Sequence, residues 1–78
     1  MILITGAFGQ VGKILQERLA AKNKLILVDR SFDENFKVDS SSEFMIGDLQ
    51  DIKFVKSIFE KYKIKNIFNL ATNSFVER

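Results

Sequence analysis

The sequence contains no cysteine, no histidine, no proline and no tryptophan. Without cysteine there is no disulfide, and without cysteine or histidine there is no zinc site built on thiolates or imidazoles. The same absences remove a Ser-His-Asp triad and a Cys-His pair from the chain. Long apolar runs are missing too. Met1-Ile2-Leu3-Ile4 is among the longest, far short of the roughly 20 residues that a membrane span needs. Neither an internal repeat nor a low-complexity tract nor a proline-rich linker is visible. No basic segment or apolar h-region stands before the first strand, so no signal peptide and a cytoplasmic location are expected. Charge of one sign is also lacking: 12 Lys and Arg stand against 10 Asp and Glu, for a net charge of +2. The pI near 9.0 reflects that small excess. With no basic stripe on any helix face, neither nucleic acid nor a membrane surface is an expected partner.

What is present fits a small packed unit. At 78 residues the chain is one domain at most, or a piece of one. A chain of this size buries only about 60% of the surface its unfolded form exposes. Its core must therefore be rich in apolar groups, and 46% hydrophobic residues with eight phenylalanines can supply it.

Four apolar runs read as strands: Met1 to Thr5, Leu25 to Val28 closed by Asp29, Phe44 to Ile46 closed by Gly47-Asp48, and Asn66 to Ala71. Helical spacing follows the first run, with Val11, Ile14, Leu15 and Leu19 on one face and Lys13, Gln16, Glu17, Arg18 and Lys22 elsewhere. Asn23 is placed to end this helix in a left-handed conformation. Residues 31–42 are polar and read as a loop, with Phe32 and Phe36 pinning it to the body. A second helix is expected over roughly 51 to 62, with Ile52, Val55, Ile58, Phe59 and Tyr62 as its apolar stripe. Asp51 at its start and Lys61 and Lys63 near its end suit the helix dipole.

Continuous apolar strands interleaved with helices predict an α/β protein: a partial Rossmann fold with a four-stranded parallel sheet covered on both faces. Right-handed crossovers give the strand order 3-2-1-4, with the two helices on opposite faces. The topological switch point then falls between strands 1 and 4, where such sheets bind ligands at the C-terminal strand ends.

Gly6-Ala7-Phe8-Gly9-Gln10-Val11-Gly12 is a GxxGxxG loop joining strand 1 to helix 1. Gly6 can make the tight turn, bare Gly9 can let a pyrophosphate approach, and Gly12 can let the helix pack closely on the sheet. Backbone N–H groups at the helix start would face the phosphates. The alternative is three turn glycines with no ligand. Against it, all four glycines of the chain sit in this loop or at a strand's C-terminal end.

Asp29 ends strand 2, 17 residues after Gly12, where a carboxylate can hold both hydroxyls of an adenosine ribose. It can equally be a solvated acid at a strand end. Arg30 beside it can meet a 2′-phosphate, but Asp29 would repel one, so NAD is favoured over NADP. Asp48 ends strand 3 at the same edge. Either it contacts the adenine amino group, with Leu49 packing on the ring, or it serves with Asp51 as a cap for the second helix. Leu70-Ala71-Thr72 ends strand 4 beside the switch point and leaves room for a cofactor.

Together these residues resemble the extended short-chain dehydrogenase/reductases, the superfamily that includes the NAD-dependent epimerases and dehydratases of nucleotide sugars. Thr5-Gly6-Ala7-Phe8-Gly9-Gln10-Val11-Gly12 is similar to their TGxxGxxG signature, Val28-Asp29-Arg30 to their acidic strand end, and Gly47-Asp48-Leu49 to their adenine-contacting motif. Asn69-Leu70-Ala71-Thr72 is similar to their HLAA or NLAA segment, and Asn73 to Arg78 to the SxV stretch that follows in nucleotide-sugar dehydratases. The resemblance spans nearly the whole chain. It implies residues 1–78 as the N-terminal part of an NAD(P)-binding Rossmann domain. It also implies pyrophosphate contacts from Gln10 and Val11, ribose contacts from Asp29, adenine contacts from Asp48 and Leu49, and contacts to the nicotinamide end from Leu70 through Ser74.

Asn69 stands where the family commonly has His, and Thr72 where it usually has Ala or Gly. The family's catalytic Tyr-x-x-x-Lys pair has no counterpart: the single tyrosine is Tyr62, and four places on stands Asn66. No catalytic residue is therefore named. The implied parent acts on a nucleotide sugar by hydride transfer to NAD and back. The alternatives are a self-contained, non-catalytic dinucleotide-binding module and a structural remnant that binds nothing. The sequence carries no indication of oligomeric state.

Overall fold

In a computed structural model, which describes residues 1–71, six elements follow in the order β1 (Ile2–Thr5), α1 (Gln10–Leu19), β2 (Leu25–Asp29), β3 (Glu43–Ile46), α2 (Ile52–Lys61) and β4 (Asn66–Asn69). All strand pairs are parallel and the sheet order is β3-β2-β1-β4. The strand order expected from the crossover rule is the observed one. Ile2 lies level with Leu25 and Asn66, and Thr5 with Val28 and Asn69. The C-terminal ends of the central strands are thus aligned at one edge.

The two central strands are buried on both faces, which is why they read as unbroken apolar runs. Their side chains divide by parity. Ile2, Ile4, Leu25 and Leu27 point to one face, where Leu15 and Leu19 of α1 pack. Leu3, Ile26 and Val28 point to the other, where Ile58 and Tyr62 close over them with Phe54 and Met45 at the margin. The helices therefore lie on opposite faces.

Both helices are turned from the expected orientation. On α1 the buried positions are Gly12 and Gln16, while Val11 and Ile14 are exposed. A Cβ on Gly12 would meet Ala7 O at 2.4 Å and Gly6 O at 2.6 Å. This backbone-to-backbone approach fixes the rotation of the helix. Ile14 then lies about 200° around from Gly12, and Gln16 lies on the inner face with Leu15 and Leu19. On α2, Ile52 and Phe59 are exposed and Phe54 packs in their stead. Asn23 does not adopt a left-handed conformation, since among the described residues the one positive φ belongs to Gly6. It closes α1 by donating its backbone N–H and its side-chain amide to Leu19 O, at 3.1 and 3.0 Å.

The β2–β3 connection is held by aromatics. Phe32 stacks on Phe44 with centroids 4.7 Å apart, and Phe8 meets Phe32 edge-on at 5.1 Å and Phe36 at 6.5 Å. Lys13 of α1 also pairs with Asp33. At the opposite end of the sheet the Tyr62 hydroxyl donates to Glu43, whose other carboxylate oxygen pairs with Lys24 at 2.8 Å. This chain of contacts ties the starts of β2 and β3 to the end of α2. No helix among the described residues is long and apolar enough to cross a membrane.

Candidate dinucleotide site at the C-terminal strand ends

The site is built on the β1–α1 turn. Gly6 has φ +67°, and a Cβ there would stand 2.8 Å from the backbone of Leu70 and Ala71. Only glycine both turns the chain and lets β4's end pass beside it. Thr5 fastens that passage. Its hydroxyl donates to Asn69 Oδ1 at 2.6 Å and accepts from Ala71 N–H at 3.3 Å, while Thr5 O accepts from Leu70 N–H.

The loop itself is pinned to β2. Ala7 N–H donates to Val28 O at 3.2 Å, and Phe8 N–H to Asp29 Oδ2 at 2.9 Å. The other Asp29 oxygen accepts from Arg30 N–H at 2.7 Å. A carboxylate offers about four acceptor positions. With one contact on each oxygen, acceptor capacity remains for a pair of hydroxyl donors.

Gly9 is the N-cap of α1 and supplies no side-chain cap. The first intrahelical bond among these residues runs from Lys13 N–H to Gly9 O, so the N–H groups of Gln10, Val11 and Gly12 are the free donors of the first turn. A Cβ on Gly9 would meet only Gly6 O, at 3.5 Å, an ordinary contact. Nothing inside the fold therefore requires glycine here. Its missing side chain keeps open the cleft it lines.

That cleft has a volume of about 250 Å³. Gly6 and Gly9 form one wall, Asp29 and Arg30 another, and Gly47 with Leu49 a third, while Leu70 and Ala71 close it on the β4 side. The structure thus brings Gly6, Gly9, Asp29, Arg30, Leu49, Leu70 and Ala71 to one place. Gln10, Val11 and Gly12 contribute the helix start beside it. Asp48 lies between two lining residues, but its carboxylate accepts from Gln50 N–H at 2.9 Å in a local turn. Capping of α2 falls to Asp51 alone, whose Oδ1 accepts from Lys53 and Phe54 N–H. Thr72, Ser74 and the stretch from Asn73 to Arg78 lie outside the described residues.

Three contributors act in ways that the sequence does not indicate. Gln16, assigned to the polar face of α1, is 4% exposed and donates its amide to Ala7 O at 2.8 Å. Its spacing from Gly12, one helical turn, is the signal that marks it. Thr5 belongs to the TG motif but acts as a fastener. Gly47 gives room to the Phe54 ring, which a Cβ would meet at 2.5 Å and displace.

A parallel 3-2-1-4 sheet with a glycine turn at the switch point and an acid at the end of β2 defines the class: a partial Rossmann fold of the epimerase/dehydratase type of short-chain dehydrogenase/reductase. More narrowly, the family model described as GDP-mannose 4,6 dehydratase matches residues 3–78, and the chain belongs to that family. Among solved structures it is similar to the Bordetella bronchiseptica enzyme WbmG in complex with NAD and UDP, with TM-score 0.82 at 21% identity over 92% of this chain and 25% of that one. A UDP-glucose 4-epimerase has TM-score 0.82 at 26% identity, over 97% of this chain and 24% of that one. A partial-consensus L-threonine 3-dehydrogenase has TM-score 0.77 at 25% identity, over 92% and 23%. The chain therefore spans about a quarter of the length of these structures. No curated protein matches it.

Proposed function

We propose that residues 1–78 form part of an NAD-binding Rossmann domain in an epimerase/dehydratase-type oxidoreductase that acts on a nucleotide sugar. The observation that carries this reading is the open N-terminus of α1, with bare Gly9 and three free N–H groups, set beside the half-satisfied Asp29 carboxylate in one cleft. A pyrophosphate would take the N–H groups of Gln10, Val11 and Gly12, aided by the helix dipole. Asp29 would accept the two hydroxyls of the adenosine ribose, and Leu49 and Asp48 would flank the adenine. Leu70, Ala71, Thr72 and Ser74 would run along the nicotinamide half. A nicotinamide held there supplies the hydride acceptor of such chemistry. The chain's own residues bind and orient it.

Asp29 also sets the cofactor preference. Its negative charge opposes a 2′-phosphate, which outweighs the neighbouring Arg30 and favours NAD over NADP. The nucleotide-sugar substrate is supported by the family description and by the UDP bound in the WbmG complex. Proton transfer at the sugar belongs to no residue described here. Tyr62, the single tyrosine, is buried and donates to Glu43 at the far end of the sheet. A cytoplasmic location is part of the proposal.

Thermal melts of the 78-residue chain with NAD, NADP and ADP-ribose test this reading. NAD and ADP-ribose are expected to raise the midpoint, NADP less so, and Asp29→Ala is expected to abolish the shift. A cooperative melt indifferent to all three ligands would sink the proposal.

A further inference from the structure

Gln16 is the largest polar side chain in the core of the described residues, and it sits directly beneath the glycine loop. Its Nε2 donates to Ala7 O at 2.8 Å in a fully buried contact. Its Oε1 is buried with no hydrogen-bond partner among the described residues. Burying an amide oxygen unpaired is unfavourable, and an apolar side chain of similar volume would avoid it only by leaving Ala7 O without its donor. Packing alone therefore does not account for a glutamine at this position.

What the amide does is local and specific. The peptide units of Ala7 and Phe8 are held at three points. Ala7 N–H is tied to Val28 O, Phe8 N–H to Asp29 Oδ2, and Ala7 O to Gln16. The first two bonds anchor the loop to β2. The third anchors it to α1, one turn beyond Gly12, whose Cα rests on the carbonyls of Gly6 and Ala7. Gln16 thus couples the height of the loop to the helix that starts beside the cleft. With that bond lost, the Ala7–Phe8 unit keeps its two hydrogen bonds to β2 and has none to α1. The distance between the Asp29 carboxylate and the α1 N-terminus is then less firmly set.

We propose that Gln16 is a positioning residue of the dinucleotide site, holding the Gly6–Gly9 loop at the separation from α1 that lets one ligand span the helix N-terminus and Asp29. The inference rests on the function proposed above. It implies that Gln16 matters more to binding than to fold stability, unlike an ordinary core residue.

Gln16→Met in the 78-residue chain separates the two. Methionine matches the volume, removes the unpaired oxygen and cannot donate to Ala7 O. The melting midpoint is expected to change little, because removing the unpaired oxygen offsets leaving Ala7 O without its donor, while affinity for ADP-ribose falls roughly three- to tenfold, the value of one hydrogen bond. Amide exchange at Ala7 and Phe8 is expected to accelerate, with Leu3, Ile4 and Ile26 unchanged. A lowered midpoint with unaltered affinity and unaltered exchange at Ala7 and Phe8 would make Gln16 a packing residue and overturn the proposal. If the unsubstituted chain ignores ADP-ribose, the dinucleotide reading fails and the positioning role fails with it. Exchange at Ala7 and Phe8 then still shows whether Gln16 holds the loop.

Discussion

The two helices of this chain have the same length and begin in opposite ways. Helix α2 starts at Asp51, whose carboxylate accepts from Lys53 and Phe54 N–H and seals the first turn. Helix α1 starts at Gly9, with no side chain to offer and no acidic residue in its first turn. The closed terminus is a stabilising cap. The open one gives up that stabilisation and leaves the first-turn donors beside a cleft. The function proposed above gives that uncapped start to an anion, whereas the capped start is part of the scaffold.

The comparison can be broken most severely at Gly12. Gly12→Ala puts a methyl group into the Ala7 and Gly6 carbonyls and is expected to cost about 3 kcal/mol or more, seen as loss of the cooperative melt. Next in size is the exchange of one helix start for the other. Gly9→Asp gives α1 the cap that α2 has. It should stabilise the fold by roughly a few tenths of a kcal/mol in thermal melts, since glycine is itself a tolerated cap, while weakening ADP-ribose binding by roughly a hundredfold or more through repulsion of the pyrophosphate. The reciprocal change, Asp51→Ala, is expected to destabilise by about 1 kcal/mol in denaturant titration and to leave ligand affinity alone.

The smallest effect is in pH dependence. The hydrogen bond and charge of Lys24, with the Tyr62 hydroxyl, hold the Glu43 carboxyl below its ordinary range. The Glu43 contribution to stability is therefore present above the unfolded carboxyl's titration and lost as pH falls through the depressed folded value. Glu43→Gln should flatten the acid side of the stability profile, measured as denaturation midpoint against pH. Lys24 is shifted up by the same partner, so its share of the pair is lost only at alkaline pH.

Much of the fold was legible because the strongest signals coincide with its centre. Leu25 to Val28 is an unbroken apolar run because both of its faces are covered, and chirality then leaves one sensible strand order. The helix orientations were not legible from hydrophobicity. Val11 and Ile14 share spacing with Leu15, but the close approach of Gly12 to two carbonyls decides which face turns inward, and a glycine carries no weight in an apolar stripe. Ile52 and Phe59 mislead in the same way on α2, where Phe54 takes the place over Gly47.

Of the candidate site, Gly6, Gly9, Asp29, Arg30, Leu49, Leu70 and Ala71 were found by motif and strand-end position and do converge. The roles of Thr5 and Gln16 were not, because each acts through side-chain hydrogen bonds to groups distant in sequence. Spacing from Gly12 marks the face that Gln16 occupies but not the bond it makes. Asp48 divides between the readings: its carboxylate makes a turn with Gln50, and the helix cap is Asp51's.

Calorimetric titration of ADP-ribose into the unsubstituted chain and into Gly9→Asp asks whether the open start of α1 binds a pyrophosphate. Saturable binding is expected for the unsubstituted chain and binding weaker by roughly a hundredfold or more for Gly9→Asp, although the variant melts at an equal or higher temperature. Equal binding by both chains would contradict that expectation, because the ligand would then be held somewhere other than at the N-terminus of α1.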